Sequence, residues 1–427
     1  MTAAVTHPPR AILHDPEAGP PSGTRRLLST ASGPGLGAHE AHWGPPGAAP
    51  DLIAEILRAG LRGRGGAGFP TGTKMGAVVQ SAQRTGRRPV VIANATEGEP
   101  LSAKDRTLLA QNPHLIADGM LAAARAVGAR QAILCVSEGR AESIRSARVL
   151  VEGRSRRDIS LRLAVTPDRY LAGEESALIN WLDHGRLLPT TAPPRPDERG
   201  LGGRPTLVDN VETLANVALI DRLGAPWWRG VGTHDEAGTA LMTVTGAVAR
   251  PGVYEVAIGD RLATLLAAAG ATRSSGYLVG GYFGTWLPIE AARTAALSRQ
   301  GLAPFGATLG CGVLSVMPVA ACPVREVARV ARWLAAQSAG QCGPCVNGLG
   351  AIGSALQGIA DGHDTRPQLD RWSTIVQGRG ACKLPDGAAT FVRSALSVFA
   401  DHFAQHAAGS CTATTDHHVL TAEIGAR

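Results

Sequence analysis

Lysine is almost missing from this chain. Of its 42 basic residues only Lys74, Lys104 and Lys383 are lysines, and arginine is the default cation. A lysine against that background marks a place where a compact point charge is wanted. Aromatic residues are also scarce, at 4%. No basic run is interleaved with them, so no nucleic-acid partner is expected. Long apolar runs are absent: stretches such as Leu314 to Ala321 are too short to cross a bilayer, and direct membrane insertion is not expected. The N-terminus lacks a charged-then-apolar leader, which predicts a cytoplasmic protein. Seven cysteines, an odd number, speak against a disulfide framework.

Glycine is what the chain has in excess, and in one place above all. The stretch Gly60 to Gly76 packs seven glycines with Arg62, Arg64 and Lys74. Glycines this dense let the backbone take positive φ and lie close against a ligand. Amides and cations side by side make an anion cradle, most naturally for a phosphate. Gly63-x-Gly65-x-x-Gly68 fits a dinucleotide fingerprint, but that fingerprint should follow a strand. Here it follows Asp51 to Arg58, whose apolar spacing predicts a helix, and the Rossmann assignment is rejected. The interleaved arginines, Phe69 and Lys74 also argue against a flexible linker.

At 427 residues the chain can hold two to four domains. Its net charge of +7 suits an anionic cofactor or an acidic protein partner. Residues 1–50 show no periodicity and are read as an irregular extension. A helix over about 51–59 leads into the glycine stretch. Strands are predicted at 88–94, 131–136 and 160–165, with helices near 113–127 and 141–151 between them. This alternation predicts an α/β domain with a largely parallel sheet over 51–238. Asn94 to Pro100 lies just past the first strand, where such sheets place ligands. Glu174 and Glu175 open a helix, where acids also suit the helix dipole. Asp209 to Asn216 offers amides and hydroxyls for a ligand or for capping. A hairpin, a short helix and a further strand suggest a β-grasp-like module over 239–322. Four amphipathic helices follow as a bundle over 323–405, and 406–427 is a tail.

Cys342-Gly-Pro-Cys345 falls in the first interhelical loop of that bundle and Cys382 in the last. Closure of the bundle would bring the three thiols together. That set suits an iron–sulfur cluster or zinc; a redox pair is the alternative, although no thioredoxin-like strand precedes it. Cys135 and Cys322 sit in apolar runs and read as core residues.

Taken together and in order, the glycine stretch, Asn94–Pro100, Lys104-Asp105-Arg106, Gly173-Glu-Glu175, Asp209–Thr213 and Cys342-x-x-Cys345…Cys382 resemble a known family. It is the NADH-oxidising flavoprotein subunit of respiratory complex I, with its relatives in hydrogenases and formate dehydrogenases. The resemblance covers roughly 50–405 and implies an FMN-binding α/β domain, a β-grasp (SLBB) domain and a helical bundle holding a [4Fe–4S] cluster. It implies that Gly63, Arg64, Gly65, Gly66 and Lys74 hold FMN, with Asn94, Glu97, Gly173, Glu174, Asp209, Asn210 and Thr213 completing the site. Glu99 and Glu175 would lie nearest the nicotinamide, and Cys342, Cys345 and Cys382 would bind metal.

Departures accompany the match. Ala339 stands where the first cluster cysteine is expected, so the cluster is a [4Fe–4S] with another ligand such as Cys411, a [3Fe–4S], or lost. Thr96 replaces an acid, Ala77 an aromatic, and Ala192 and Arg195 the family's Lys and adenine-stacking Phe. The expectation is an FMN electron-transfer oxidoreductase passing electrons between NAD(P)H or a small acidic ferredoxin and an iron–sulfur centre, beside other redox subunits. The alternative is a degenerate member acting as a non-catalytic binding or assembly subunit.

Overall fold

The computed structural model describes residues 26–29, 34–154, 157–414 and 419–420. Within the stretch expected to be irregular, Leu36–Trp43 forms a helix, α1. Its His39 is buried, with Nε2 2.7 Å from Asp118 Oδ2, and this tertiary contact is invisible to periodicity. Residues 1–25 and 30–33 of that extension lie outside the described residues.

Helix α2 (Leu52–Ala59) is capped by Asp51, whose carboxylate accepts the Ala54 amide at 3.0 Å, and it ends on Gly60 in the left-handed region. The second half of the glycine stretch is helical: α3 runs Thr71–Thr85 and carries Lys74 in its first turn. Strand β1 (Val90–Ala95) leads to α4 (Lys104–Gln111) and α5 (Pro113–Val127). Next come β2 (Gln131–Ser137), α6 (Ala141–Arg154), β3 (Ser160–Thr166) and α7 (Glu175–His184). Strand β4 (Thr206–Asn210) runs directly into α8 (Val211–Arg229).

These four strands form one sheet, in the order β3-β2-β1-β4, and every pairing is parallel. Both faces are covered, as a parallel sheet requires. Val91, Ala93 and Ala95 join one core cluster together with side chains of α5 and α8. Val90 and Ile92 face the other way, onto Leu178 and Ile179 of α7. The period of two along β1 thus splits its side chains between two helical layers. Full burial of a Val or Ile is worth roughly 1.5–3 kcal/mol each. Cys135 belongs to the second layer as a core residue, its thiol pushed up to about 12 by burial.

A second sheet follows, built from β5 (Thr239–Gly246), β6 (Gly252–Ala257), β7 (Ser274–Val279), β8 (Thr285–Leu287) and β9 (Val313–Pro318). Its order is β6-β5-β9-β7-β8, with β5 and β9 parallel. Helix α9 (Leu262–Ala268) packs against it through Leu262, Leu265 and Leu266. Buried Glu255 in β6 accepts the amides of Arg26, Leu27 and Leu28 at 2.8, 2.9 and 3.1 Å. Leu27 and Leu28 themselves lie in the core of the first sheet.

The C-terminal part holds α10 (Pro323–Ala336), a π-helical turn at Pro344–Leu349, α11 (Gly350–Ala360), α12 (Arg366–Ile375), α13 (Leu384–Val398) and α14 (Ala400–Ala407). Helix α14 adds a fifth member to the four expected and enters the stretch read as a tail. The helices bury Val327, Val330, Leu334, Leu356, Phe391 and Phe399 against one another and against Tyr282 and Trp286 of the second sheet.

Candidate functional site

The carboxyl end of β4 meets the glycine loop, which binds itself closed where Gly63 N–H donates to the Phe69 carbonyl at 2.9 Å. The loop lies across the start of α8. Arg64 N–H donates to Thr213 Oγ1 at 2.8 Å, and a Cβ on Gly65 would stand 3.4 Å from the Asn210 Cβ. Gly66, with φ of +121°, holds a conformation open to glycine and faces Gly310 of the second sheet. Loop amides and the positive end of a helix here converge on one place, which is the arrangement that binds an anion. A cavity of about 250 Å³ beside it is lined by Arg64, Gly66, Met242 and Gly310, among others.

Lys74 stands at the edge of this cradle. Its ammonium donates to Glu175 and to the Val208 carbonyl, and lies 3.9 Å from Asp209 Oδ1. Burial alone would lower its pKa, but Asp209 and Glu175 outweigh that and raise it, so the cation is kept. Asp209 is pushed up to about 6 by burial, against the pull of Lys74. Its Oδ2 is buried without a hydrogen-bond partner among the described residues. Such an atom is an acceptor that a bound hydroxyl or an ordered water can satisfy.

Asn94 and Asn210 hold neighbouring strands together: Asn210 Nδ2 donates to the Asn94 carbonyl at 3.2 Å and to Asp105 Oδ2 at 2.7 Å. Asn94 Nδ2 donates to the Gly173 carbonyl at 3.1 Å, bringing Gly173 to the site. Thr96, where an acid was expected, donates its hydroxyl to Asn94 Oδ1 at 2.9 Å. Glu97 has φ of +43°, unusual for a residue with a Cβ. Its carboxylate accepts the Asp105 amide at 2.9 Å and the Ser102 hydroxyl at 3.0 Å, so it caps α4. Of the acid pair opening α7, Glu174 takes the helix-capping role, accepting the Ala177 amide at 2.8 Å, and Glu175 reaches Lys74 instead.

Glu99 is buried where the two sheets meet. It accepts the Tyr282 amide at 2.8 Å and the Tyr170 hydroxyl at 3.3 Å. Burial still dominates, and its pKa is raised to about 7. Gly281 beside it, at φ of +83°, leaves no room for a side chain: a Cβ would sit 2.6 Å from Glu99 Oε2 and 2.7 Å from Cys311 Sγ.

Sequence reasoning singled out Lys104 as a rare lysine and as part of a motif but gave it no place in the site. It is buried under the cradle, 2.7 Å from Asp105, 2.9 Å from Glu212 and 2.9 Å from Asn210 Oδ1. The scarcity of lysine marked it; its ion-pair partners Asp105 and Glu212 show only in the fold. Arg195 and Ala192 are exposed on the Pro-rich connector, and the Arg195 amide donates to Glu198 at 3.1 Å. Phe69, the aromatic available to a base, is 47% exposed.

In the bundle, Cys342 precedes the π-turn and Cys345 lies in its first turn, on a helix where a loop was expected. Cys345 is pushed up to about 12 by burial, with Cys342 and Cys382 close enough to add to the rise and the Ser338 hydroxyl bonded to it. Cys342, Cys382 and Ala339 all pack against the same part of the bundle core as Cys345, although the three sulfurs are spaced more widely than the ligands of a single metal ion. Cys411 is elsewhere: it stands with Cys322 and His406, so it is not the missing fourth ligand of that set.

The donors present fit the two groups this architecture implies. Open loop amides, a helix N-terminus, a buried lysine and an orphaned carboxylate oxygen suit a flavin mononucleotide. Three converging thiols suit iron–sulfur. Fold and site together define a flavin- and iron–sulfur-type oxidoreductase subunit.

Comparison with known proteins specifies it. Residues 56–219 match the Nuo51 FMN-binding domain, 241–281 the SLBB domain and 325–406 the NADH-ubiquinone oxidoreductase-F iron-sulfur binding region. The chain is 33% identical over 380 residues to the NADH-quinone oxidoreductase F subunit of Streptomyces coelicolor, covering 84% of this chain and 83% of that one. It is 32% identical over 378 residues to the F subunit of Mycobacterium bovis, covering 84% and 85%. Among solved structures it is similar to NAD+-reducing [NiFe]-hydrogenase in the air-oxidised state, with a TM-score of 0.77, 33% identity and coverage of 97% of this chain and 70% of that one. Against the H2-reduced state the TM-score is 0.74 at 34% identity, and the match covers 87% of this chain and 63%, under two thirds, of that one. The chain belongs to the family of NADH-quinone oxidoreductase F subunits.

Proposed function

We propose that this protein is an FMN-dependent electron-transfer subunit that passes electrons between NAD(P)H or a small acidic ferredoxin and an iron–sulfur centre. The observation that carries the reading is the glycine loop laid over the start of α8, with Lys74 and Asp209 beside it. Bound there, FMN supplies the hydride and one-electron chemistry. The amides of Gly65 and Gly66 and the start of α8 would hold its phosphate end, with Asn210 and Thr213 beneath the loop. Lys74 brings a fixed positive charge to the cradle, oriented by Glu175 and the Val208 carbonyl. Asp209 Oδ2 offers a free acceptor. Glu99, its pKa near neutrality, can hold or release a proton at its carboxyl, and the Tyr170 hydroxyl keeps it oriented. At Gly280, Gly281 and Gly310 the second sheet meets this region with no room for side chains.

Cys342, Cys345 and Cys382 would hold the iron–sulfur centre. With Ala339 in place of a fourth thiolate, a [3Fe–4S] form or a [4Fe–4S] form with one non-thiolate ligand is expected. Among the described residues no helix is long and apolar enough to cross a membrane. A cytoplasmic subunit among other redox subunits agrees with this, and the net charge of +7 would steer an acidic partner.

A second reading, a non-catalytic assembly subunit, is favoured by Ala339 and by the exposed, non-aromatic Ala192 and Arg195. One experiment separates the two. The full chain is isolated anaerobically, titrated with FMN by fluorescence quenching, then mixed with NADH or NADPH and followed by visible and EPR spectra. Reduction at turnover rates supports electron transfer; bound FMN that neither nucleotide nor reduced ferredoxin reduces supports the second reading; failure to bind FMN removes the first.

A further inference from the structure

We propose that Cys322, His406 and Cys411 form a mononuclear zinc site that fastens the C-terminal tail to the helical bundle. The three ligand atoms all lie within 4.8 Å of one another. Tetrahedral zinc with Zn–S near 2.3 Å and Zn–N near 2.0 Å needs its ligands about 3.5–3.8 Å apart, a spacing this triad reaches by small side-chain movements. Thiolates on a cluster bind different irons and splay outward, which sets them further apart. This triad is therefore distinct from Cys342, Cys345 and Cys382.

Each ligand is prepared for the task. Cys322 is the N-cap of α10, and its sulfur accepts the Arg325 amide at 3.4 Å, which fixes the direction of the side chain. His406 is buried, 4% exposed, with Nε2 3.1 Å from the Cys322 sulfur. With Nε2 turned to the sulfur, the tautomer that carries its proton on Nδ1 presents the Nε2 lone pair to a metal. Cys411 comes from the segment after α14 and is exposed, giving the ion a path in. That segment is already led back to α10, where the Thr414 amide donates to the Ala320 carbonyl at 3.0 Å. Two sulfurs and an imidazole are a donor set that selects zinc over magnesium or calcium. Zn2+ displaces the two thiol protons to solvent, the imidazole enters neutral, and water takes the fourth position.

The test uses the full chain, isolated anaerobically and dialysed against a weak chelator. Metal analysis is expected to give about one zinc per chain, and zinc-edge X-ray absorption two sulfurs near 2.3 Å with one nitrogen near 2.0 Å. Cys411→Ser changes an exposed residue and should leave thermal unfolding of the bundle little altered. It is expected to lower zinc affinity by at least about 100-fold and to speed protease cleavage after α14 by at least about tenfold; losing even an outer-sphere partner costs 10–100-fold. His406→Gln should do the same for zinc, whereas Cys342→Ser should leave this zinc in place. Zinc content unchanged by Cys411→Ser and His406→Gln, or no zinc bound when Zn2+ is added, overturns the proposal. So does thiol alkylation with mass spectrometry that finds Cys322 and Cys411 joined as a disulfide in protein kept from air.

Discussion

The Glu99 carboxyl accepts the Tyr282 amide at 2.8 Å, and this contact ties the loop after β1 to the turn after β7. A titratable group thus sits in the joint between the two sheets, at the edge of the candidate flavin site. Its pKa is raised from 4.5 to about 7 because it is buried. An acid raised on folding contributes stability that is fully present below its unfolded pKa and is lost as pH climbs through the folded one. The protein should lose stability between about pH 4.5 and 7 relative to Glu99→Gln. The difference is at most about 3 kcal/mol, at 1.36 kcal/mol per unit. Denaturant unfolding of both proteins across that range measures it; parallel curves would show that Glu99 is not buried as described.

Lys74 is the cation that makes its corner of the site tolerable to Asp209 and Glu175. Lys74→Met leaves buried Asp209 without its partner, and the expected cost is about 3–5 kcal/mol. Pairing it with Asp209→Asn should recover part of that loss, because the neutral amide no longer needs the ammonium. FMN binding, by contrast, should stay weakened by at least tenfold in the double variant. Thermal unfolding and fluorescence titration on the four proteins of the cycle read the two effects separately.

Thr213 acts through a single oxygen. Thr213→Val keeps the shape and removes the acceptor of the Arg64 amide, leaving a polar group unpaired at a cost of about 1–3 kcal/mol. With the loop no longer pinned to the start of α8, FMN should dissociate faster. Thr213→Ser should restore both the stability and the dissociation rate.

Ala339→Cys supplies the thiol that the bundle lacks. Reconstituted with iron and sulfide, the parent protein is expected to hold about three irons where a three-thiolate set gives [3Fe–4S], and the variant about four. Iron and sulfide assays with EPR of the oxidised and reduced forms decide it. About three irons in both proteins would mean that the position does not face the cluster, and about four in both that the parent already holds a [4Fe–4S] form with a non-thiolate ligand.

Much of the layout was legible because its signals are local. Val90–Ala95 shows as a β-branched run, and Pro113–Val127 as a helix with a proline at its start and a glycine at its end. Helix Thr71–Thr85 was hidden because Gly72 and Gly76 look like loop; Met75 and Val78, both fully buried, carry its face. Strand Thr206–Asn210 is five residues long, too short for alternation to register. The partners inside the site were the least legible part. Glu174 and Glu175 are adjacent in sequence, yet one caps a helix and the other meets Lys74, and only the packing of α3 against β4 decides which. Cys411 shows no pattern of its own, and its neighbours Cys322 and His406 come from two different helices.

Glu255 gathers three backbone amides from a segment up to 229 positions earlier in the chain. On the ribosome, Arg26, Leu27 and Leu28 emerge first and have no anchor until the β6 strand follows. Leu27 and Leu28 therefore reach their places in the core of the first sheet only after the second sheet has begun to emerge, so maturation of the flavin-binding half waits on its neighbour.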